Sequence, residues 1–133
     1  ARVPLHCTAN GKLYLSTLPA RQRDRILDRI DLEALTPNTI TNRKKLEDEL
    51  ARISRDGIST DNEEFIEGMI AVAVPIQDSV GRFVAGLAMH APVVRLALSD
   101  ALNHVGVLTA AAKELGSDIA QSGWIAPHSS AST

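Results

Sequence analysis

Two stretches of this 133-residue chain hold the residues whose types and spacing could do chemistry. Pro4-Leu5-His6-Cys7-Thr8-Ala9-Asn10-Gly11-Lys12 reads as a loop that runs straight into a helix. A helix start presents free backbone N–H groups and the positive end of the helix dipole, which suits a small anion. The second stretch runs from Asp61-Asn62-Glu63-Glu64 through Gly68 to Ala91-Pro92. It reads as an acidic loop followed by two apolar strands joined by a tight turn. Such strands can form a wall behind the helix start. Together the stretches outline a small-molecule pocket with a polar end of carboxylate size.

Each candidate has a plainer reading beside the functional one. Ala9, Asn10 and Gly11 could mark an ordinary helix start, with Gly11 there for tight packing. Asp61 could be a solvated loop carboxylate or a cap, in a run with Glu63 and Glu64. Met69 and Ala71 alternate on one strand and Ala88 and His90 on the next, so each pair shares a face. Core packing is the rival reading for all of them, and a histidine ending an apolar strand is often an edge residue. Lys12 could neutralise an anion or simply be solvated. His6 and Cys7 invite a Cys/His catalytic reading, but sequence neighbours rarely share a face and no third group orients them.

Bulk properties narrow the function classes. Hydrophobic residues at 44% support a packed core, and the length fits one domain or part of one. A net charge of −2 leaves no electrostatic footprint for nucleic acid, and 3% aromatics make stacking platforms unexpected. The single cysteine, Cys7, cannot form an internal disulfide, and no Cys/His spacing suggests zinc. A cytoplasmic location and no cofactor are the expectations. The apolar runs near Met69 and Phe83 are too short to span a bilayer, and no signal peptide is visible.

The elements that would position these residues follow from periodicity. Thr8 caps a helix to about Leu18, and Pro19 stops it and can open the next. Arg21 to Ile30 reads as a charged helix with Ile26, Leu27 and Ile30 on one side, and Leu35 to Ile40 as a linker. Thr41 would cap a third helix, Asn42 to Asp56, with Leu46, Leu50 and Ile53 inward and Gly57 as its C-terminal cap. Ile58 to Thr60 would be a short strand and Asp61 to Gly68 a loop. Met69 to Gln77 and Phe83 to His90 read as paired strands around Asp78-Ser79-Val80-Gly81. A long helix from about Asp100, capped by Ser99, would bury Leu102, Val105, Leu108, Ala112, Leu115 and Ile119. Beyond Gly123 composition reads as a disordered tail, 124–133, with Trp124 as a possible anchor.

The motifs carry a resemblance. Pro4-Leu5-His6-x-Thr8-Ala9-x-Gly11-Lys12, Asp61-x-Glu63-Glu64-x-x-x-Gly68, Ala73-x-Pro75-Ile76-x-Asp78-x-x-Gly81 and Ala91-Pro92 match, in order and spacing, the ligand-binding domain of IclR-type transcriptional regulators. The match runs from Val3 to about Gly123. It implies an α+β fold of GAF-like or profilin-like type, a twisted antiparallel sheet flanked by helices, with residues 1–123 forming part of the effector-binding domain. The missing strands of that sheet would pair with those present. The chain opens at Ala1-Arg2-Val3-Pro4 without an initiator Met, and the resemblance implies that a DNA-binding winged helix-turn-helix domain precedes it.

The resemblance also implies a function and a site. The chain would sense a small organic acid, and operator DNA would be met only through the preceding domain. No membrane partner is expected, and the oligomer would be a homodimer or homotetramer. Family members use the positions of Ala9 and Asn10 to contact a bound acid and place the aspartate at Asp61 beside the pocket. With Gly11, Val3, Met69, Ala71, Ala88 and His90 these complete the expected effector site. Family members often carry small polar residues at the positions of Ala71, Ala88 and His90. Two alanines and an imidazole there point to a larger, partly apolar acid. Two other readings compete: an enzyme using Asp61 and His90 as an acid–base pair, and a pure oligomerisation module.

A weakly negative chain without a helix-turn-helix segment should not read DNA by itself. Titrated against labelled duplexes at physiological salt, it is expected to show no sequence-selective binding. A selective isotherm at sub-micromolar concentration would overturn this.

Overall fold

The computed structural model describes residues 4–123. The chain forms α1 (Ala9–Thr17), α2 (Ala20–Leu27), α3 (Arg43–Asp56), β1 (Ser59–Asn62), β2 (Met69–Gln77), β3 (Phe83–Pro92), α4 (Leu98–Leu102) and α5 (Val105–Ser122). The three strands make one antiparallel sheet in the order β1-β2-β3. This is the α+β arrangement expected, with helices on both faces of the sheet.

Strand alternation decides what each face carries. Ala71 and Ala73 of β2 face α1 and α3, where they pack with Ala9, Leu13, Leu46, Leu50 and Ile53. Ile70 and Val72 face the other way, against Ala101 of α4 and Leu108 of α5. Val74 and Ile76 continue that face onto Ala112 and Ile119 of α5. The core is therefore split by the sheet into two apolar layers, and β2 is buried on both sides. Pro75 is tolerated within β2 because β1 begins opposite Ala73, so among the described residues no strand lies beside Pro75 on that side. The hairpin to β3 closes through Asp78, whose Oδ1 accepts the N–H groups of Val80 (3.0 Å) and Arg82 (2.9 Å). Gly81 supplies the left-handed backbone the turn requires, at φ +81°.

Several boundaries differ from the sequence expectation. The N-cap of α3 is Asn42, not Thr41: its side chain accepts the Lys45 N–H at 3.0 Å. β1 extends to Asn62, which puts Asp61 on a strand rather than in the following loop. The 35–40 linker is tied down, since Thr36 and Thr39 donate to the carbonyls of Glu63 and Glu64, each at 2.6 Å. The long C-terminal helix is interrupted at Asn103–His104, which separates α4 from α5. That break puts Leu102 out of phase with α5, and it is 39% exposed. Leu115 is 41% exposed because α5 turns Ala112 and Gly116 toward the sheet instead. A Cβ on Gly116 would come within 2.6 Å of the Gln77 carbonyl oxygen, so glycine lets the helix settle against β2.

The largest departure is Lys12. It is completely buried, and its Nζ donates to Glu64 Oε1 (2.8 Å) and Glu49 Oε2 (2.9 Å). The ion triad joins α1 to α3 and to the loop after β1. Glu64 also accepts the Asn62 N–H at 3.0 Å, which shapes that loop. Removing the lysine would leave two carboxylates facing each other without their shared cation. Lys12→Met should lower unfolding stability by about 3 kcal/mol, the usual result when one member of a buried ion pair is deleted. Urea denaturation at neutral pH checks this, and a loss below about 1 kcal/mol would contradict it.

Candidate functional site

A cleft of about 550 Å³ opens beside the first turn of α1. Its polar end is built by the helix start. Thr8 is the N-cap in extended conformation, and its Oγ1 accepts the Gly11 N–H at 3.0 Å while donating to the Pro4 carbonyl at 2.9 Å. The Lys12 N–H bonds the Thr8 carbonyl. Among the described residues, this leaves the N–H groups of Ala9 and Asn10 without an acceptor. The Gly11 N–H is taken by Thr8, so Gly11 borders the cleft without offering it a donor. Gly11 has a packing role: a Cβ there would lie 2.5 Å from Thr8 Oγ1 and 2.7 Å from the Leu5 Cα and carbonyl oxygen.

The register of the sheet aligns Asp61, Ala71 and His90 in one row across the three strands. Asp61 and His90 both line the cleft, with the small Ala71 between them in the row. Two strand spacings separate the outer pair, about 10 Å between their backbones. Asp61 is buried, and its Oδ1 accepts the Glu64 N–H at 2.7 Å. Burial raises its pKa, against the opposing pull of that hydrogen bond and of Lys12. Glu64 is raised for the same first reason, burial, again opposed by Lys12. Burial also pushes Glu49 upward, but the Arg52 hydrogen bond and Lys12 outweigh it and leave Glu49 below the usual range. The neighbourhood of Asp61 thus holds three carboxylates around one lysine, and negative charge is in excess.

The structure separates the expected site residues into three groups. Asn10, Gly11, Asp61, Met69 and His90 line the cleft, with His90 exposed at its rim. Ala9 and Ala71 are each 1% exposed and belong to the core behind the wall, with Ala88 packed against the same cluster. Val3 lies outside the described residues, as do Trp124 and the 124–133 tail. The apolar wall comes instead from Leu5, Tyr14, Phe65 and Ile66, beside Met69. Tyr14 was findable, since it stands one helical turn from Asn10 on the same face. Phe65 and Ile66 were signalled by apolar residues set in an acidic loop.

The Cys/His reading dissolves on geometry. His6 is buried with its Nε2 hydrogen-bonded to the Glu33 carbonyl oxygen at 2.9 Å. Burial, aided by Asp61 and Glu64, pushes the Cys7 thiol to about 11, so it is not a thiolate near neutral pH. Among the described residues no group of three His, Cys, Asp or Glu side chains could hold a metal ion. No helix among them is long and apolar enough to cross a membrane. A second groove of about 630 Å³ lies behind the sheet, between α5 and β2. Small residues such as Ala112, Gly116 and Ala120 line it.

An α+β layer fold with an apolar cleft at a helix start makes this a candidate small-molecule-binding domain. Comparison with known proteins places it further. Residues 1–117 match the family "Bacterial transcriptional regulator IclR C-terminal", and the chain belongs to that family. It is 42% identical over 115 residues to the "probable transcriptional regulator SauR" of Cupriavidus necator, covering 86% of this chain and 46% of that protein. Among solved structures, the C-terminal domain of Escherichia coli KdgR superposes with a TM-score of 0.82 at 31% identity, covering 90% of this chain and 73% of that one. The inducer-binding domain of Acinetobacter PobR, a double mutant in complex with 3-hydroxybenzoic acid, gives 0.83 at 29% identity, covering 86% and 66%. The chain spans less than half the length of the first curated relatives it matches.

Because burial raises Asp61, its carboxyl binds a proton more tightly in the folded than in the unfolded chain. Folding stability from this group is present in acid and is lost as pH rises from about 4 through the raised folded value. Asn keeps the acceptor for the Glu64 N–H without the charge. The stability of Asp61→Asn relative to the parent is therefore expected to increase as pH rises from 4 to 7. Paired urea titrations across that range test the sign; a flat or falling difference would refute it.

Proposed function

We propose that the cleft binds a small organic acid, and that the chain is the effector-sensing part of a bacterial DNA-binding transcriptional regulator. The observation that carries this reading is the start of α1, where among the described residues the Ala9 and Asn10 N–H groups lack acceptors beside an apolar cleft. Helix N-termini stabilise anions without a basic side chain, and Lys12 is committed to Glu49 and Glu64. The carbon skeleton would lie against Leu5, Phe65, Ile66 and Met69, and His90 would read a second polar group from the rim. Asp61 would accept a ligand hydroxyl or, protonated, donate to a carboxylate. The 3-hydroxybenzoic acid bound by the PobR domain supports an acid of this kind.

Regulation requires differential affinity: the acid must bind the DNA-competent and incompetent states unequally. In our reading this chain supplies that difference, and operator DNA is contacted by a separate winged helix-turn-helix domain. A homodimer or homotetramer would match paired half-sites. The whole would work in the cytoplasm, where operator and metabolite meet. No observation favours the enzyme reading, since Asp61 and His90 stand two strands apart and Cys7 holds its proton. The pure oligomerisation reading leaves the open helix start unexplained.

Calorimetry against a panel of aliphatic and aromatic acids and their neutral amides should select an acid. His90→Ala should weaken the best ligand by about 1 kcal/mol through loss of one hydrogen bond. A neutral best ligand, or an affinity indifferent to His90→Ala, would refute this pocket assignment.

A further inference from the structure

β3 carries a glycine where α1 crosses it. A Cβ built on Gly86 would overlap Asn10 Oδ1, and would meet Asn10 Cγ at 3.0 Å and Leu13 Cδ2 at 3.1 Å. The Asn10 amide therefore rests on the bare backbone of Gly86. Asn10 also lines the cleft, whereas Gly86 does not. One helical turn on, Tyr14 packs over Phe83 of the same strand, with ring centroids 6.3 Å apart. The outer face of α1 is thus seated on β3 by two contacts, one aromatic and one made possible by a missing side chain.

The obstructing atoms decide what a substitution would do. At Gly11 an added Cβ meets the backbone of Leu5, which cannot yield. At Gly86 it meets the far ends of two side chains: the flexible Asn10 amide, which must move, and Leu13 Cδ2 at 3.1 Å, which need give only by a few tenths of an ångström. A methyl group there would lift the Asn10 amide off the strand and leave the sheet intact. Since Asn10 borders the cleft, the displaced amide would take up room beside the helix start.

We propose that Gly86 is a specificity-determining position of this cleft, acting through Asn10: by carrying no side chain it seats the Asn10 amide on β3 and keeps room for a bulky acid beside the start of α1. Gly86 touches no ligand in this account and is a positioning residue. The role in selectivity rests on the acid-binding reading above; the seat itself does not.

The test uses the 133-residue chain labelled with 15N, with 3-hydroxybenzoate and propionate as bulky and small probes. Gly86→Ala should shift the Asn10 side-chain amide resonances while the spectrum stays dispersed. It should weaken 3-hydroxybenzoate at least fivefold and change propionate less than twofold. In the Asn10→Ala background the same substitution should change 3-hydroxybenzoate less than twofold, because the obstructing amide is gone. Unmoved Asn10 resonances overturn the proposal, as does equal weakening of both acids or full loss in the double variant. A Gly86→Ala chain that fails to fold also overturns it, since a yielding amide would not unfold the sheet. If neither acid binds the parent, the selectivity role falls with the acid reading, and the Asn10 resonances alone decide the seat.

Discussion

The buried ammonium of Lys12 is the interaction around which the rest is arranged. A lysine taken wholly out of water is tolerated only with compensating partners, and here two carboxylates from different elements provide them. Glu49 brings α3 against α1, and Glu64 draws in the loop after β1. That loop is then held by Thr36 and Thr39 from the linker and by Asp61 from the strand. One cation thus joins three segments that propensity alone would leave unconnected. The same commitment shapes the cleft: the obvious basic side chain points into the core and leaves the helix start without a basic side chain from Lys12.

The sheet divides labour between its faces. One carries aliphatic residues of β2 against α4 and α5. The other carries alanines, which let α1 approach closely enough for its first turn to overlook the row of Asp61, Ala71 and His90. Small residues at Ala71, Ala73, Gly86 and Ala88 are therefore the means by which helix and sheet share a cleft. Alanine at Ala71 and Ala88 suggested an apolar pocket wall, and the wall is apolar. Its carbon comes from Leu5, Phe65, Ile66 and Met69, while those alanines lie beneath it.

Excess carboxylate beside the proposed anion site looks contradictory, and burial resolves part of it. Burial raises the pKa of both Asp61 and Glu64, which in the proposed acid-binding role would lessen repulsion toward an incoming carboxylate. The membership of the chain in the IclR C-terminal family, together with solved relatives at TM-scores above 0.8, gives this arrangement its setting.

What the sequence by itself determined was the local and the periodic. Thr8 as a cap, Gly57 as a helix stop, the hairpin at Asp78–Gly81 and the alternation of β2 and β3 follow from residue type and spacing at short range. The motif register likewise identified the family and placed Asn10, Gly11, Asp61, Met69 and His90 near one another. Tertiary structure alone decided the fate of Lys12, whose partners stand 37 and 52 positions away. It also decided the break at Asn103, which of the alanines reach the cleft, and the seat of Asn10 on Gly86. The reason is common to all: spacing says which residues share a face, but burial, ion pairing and steric room depend on what another element places opposite that face.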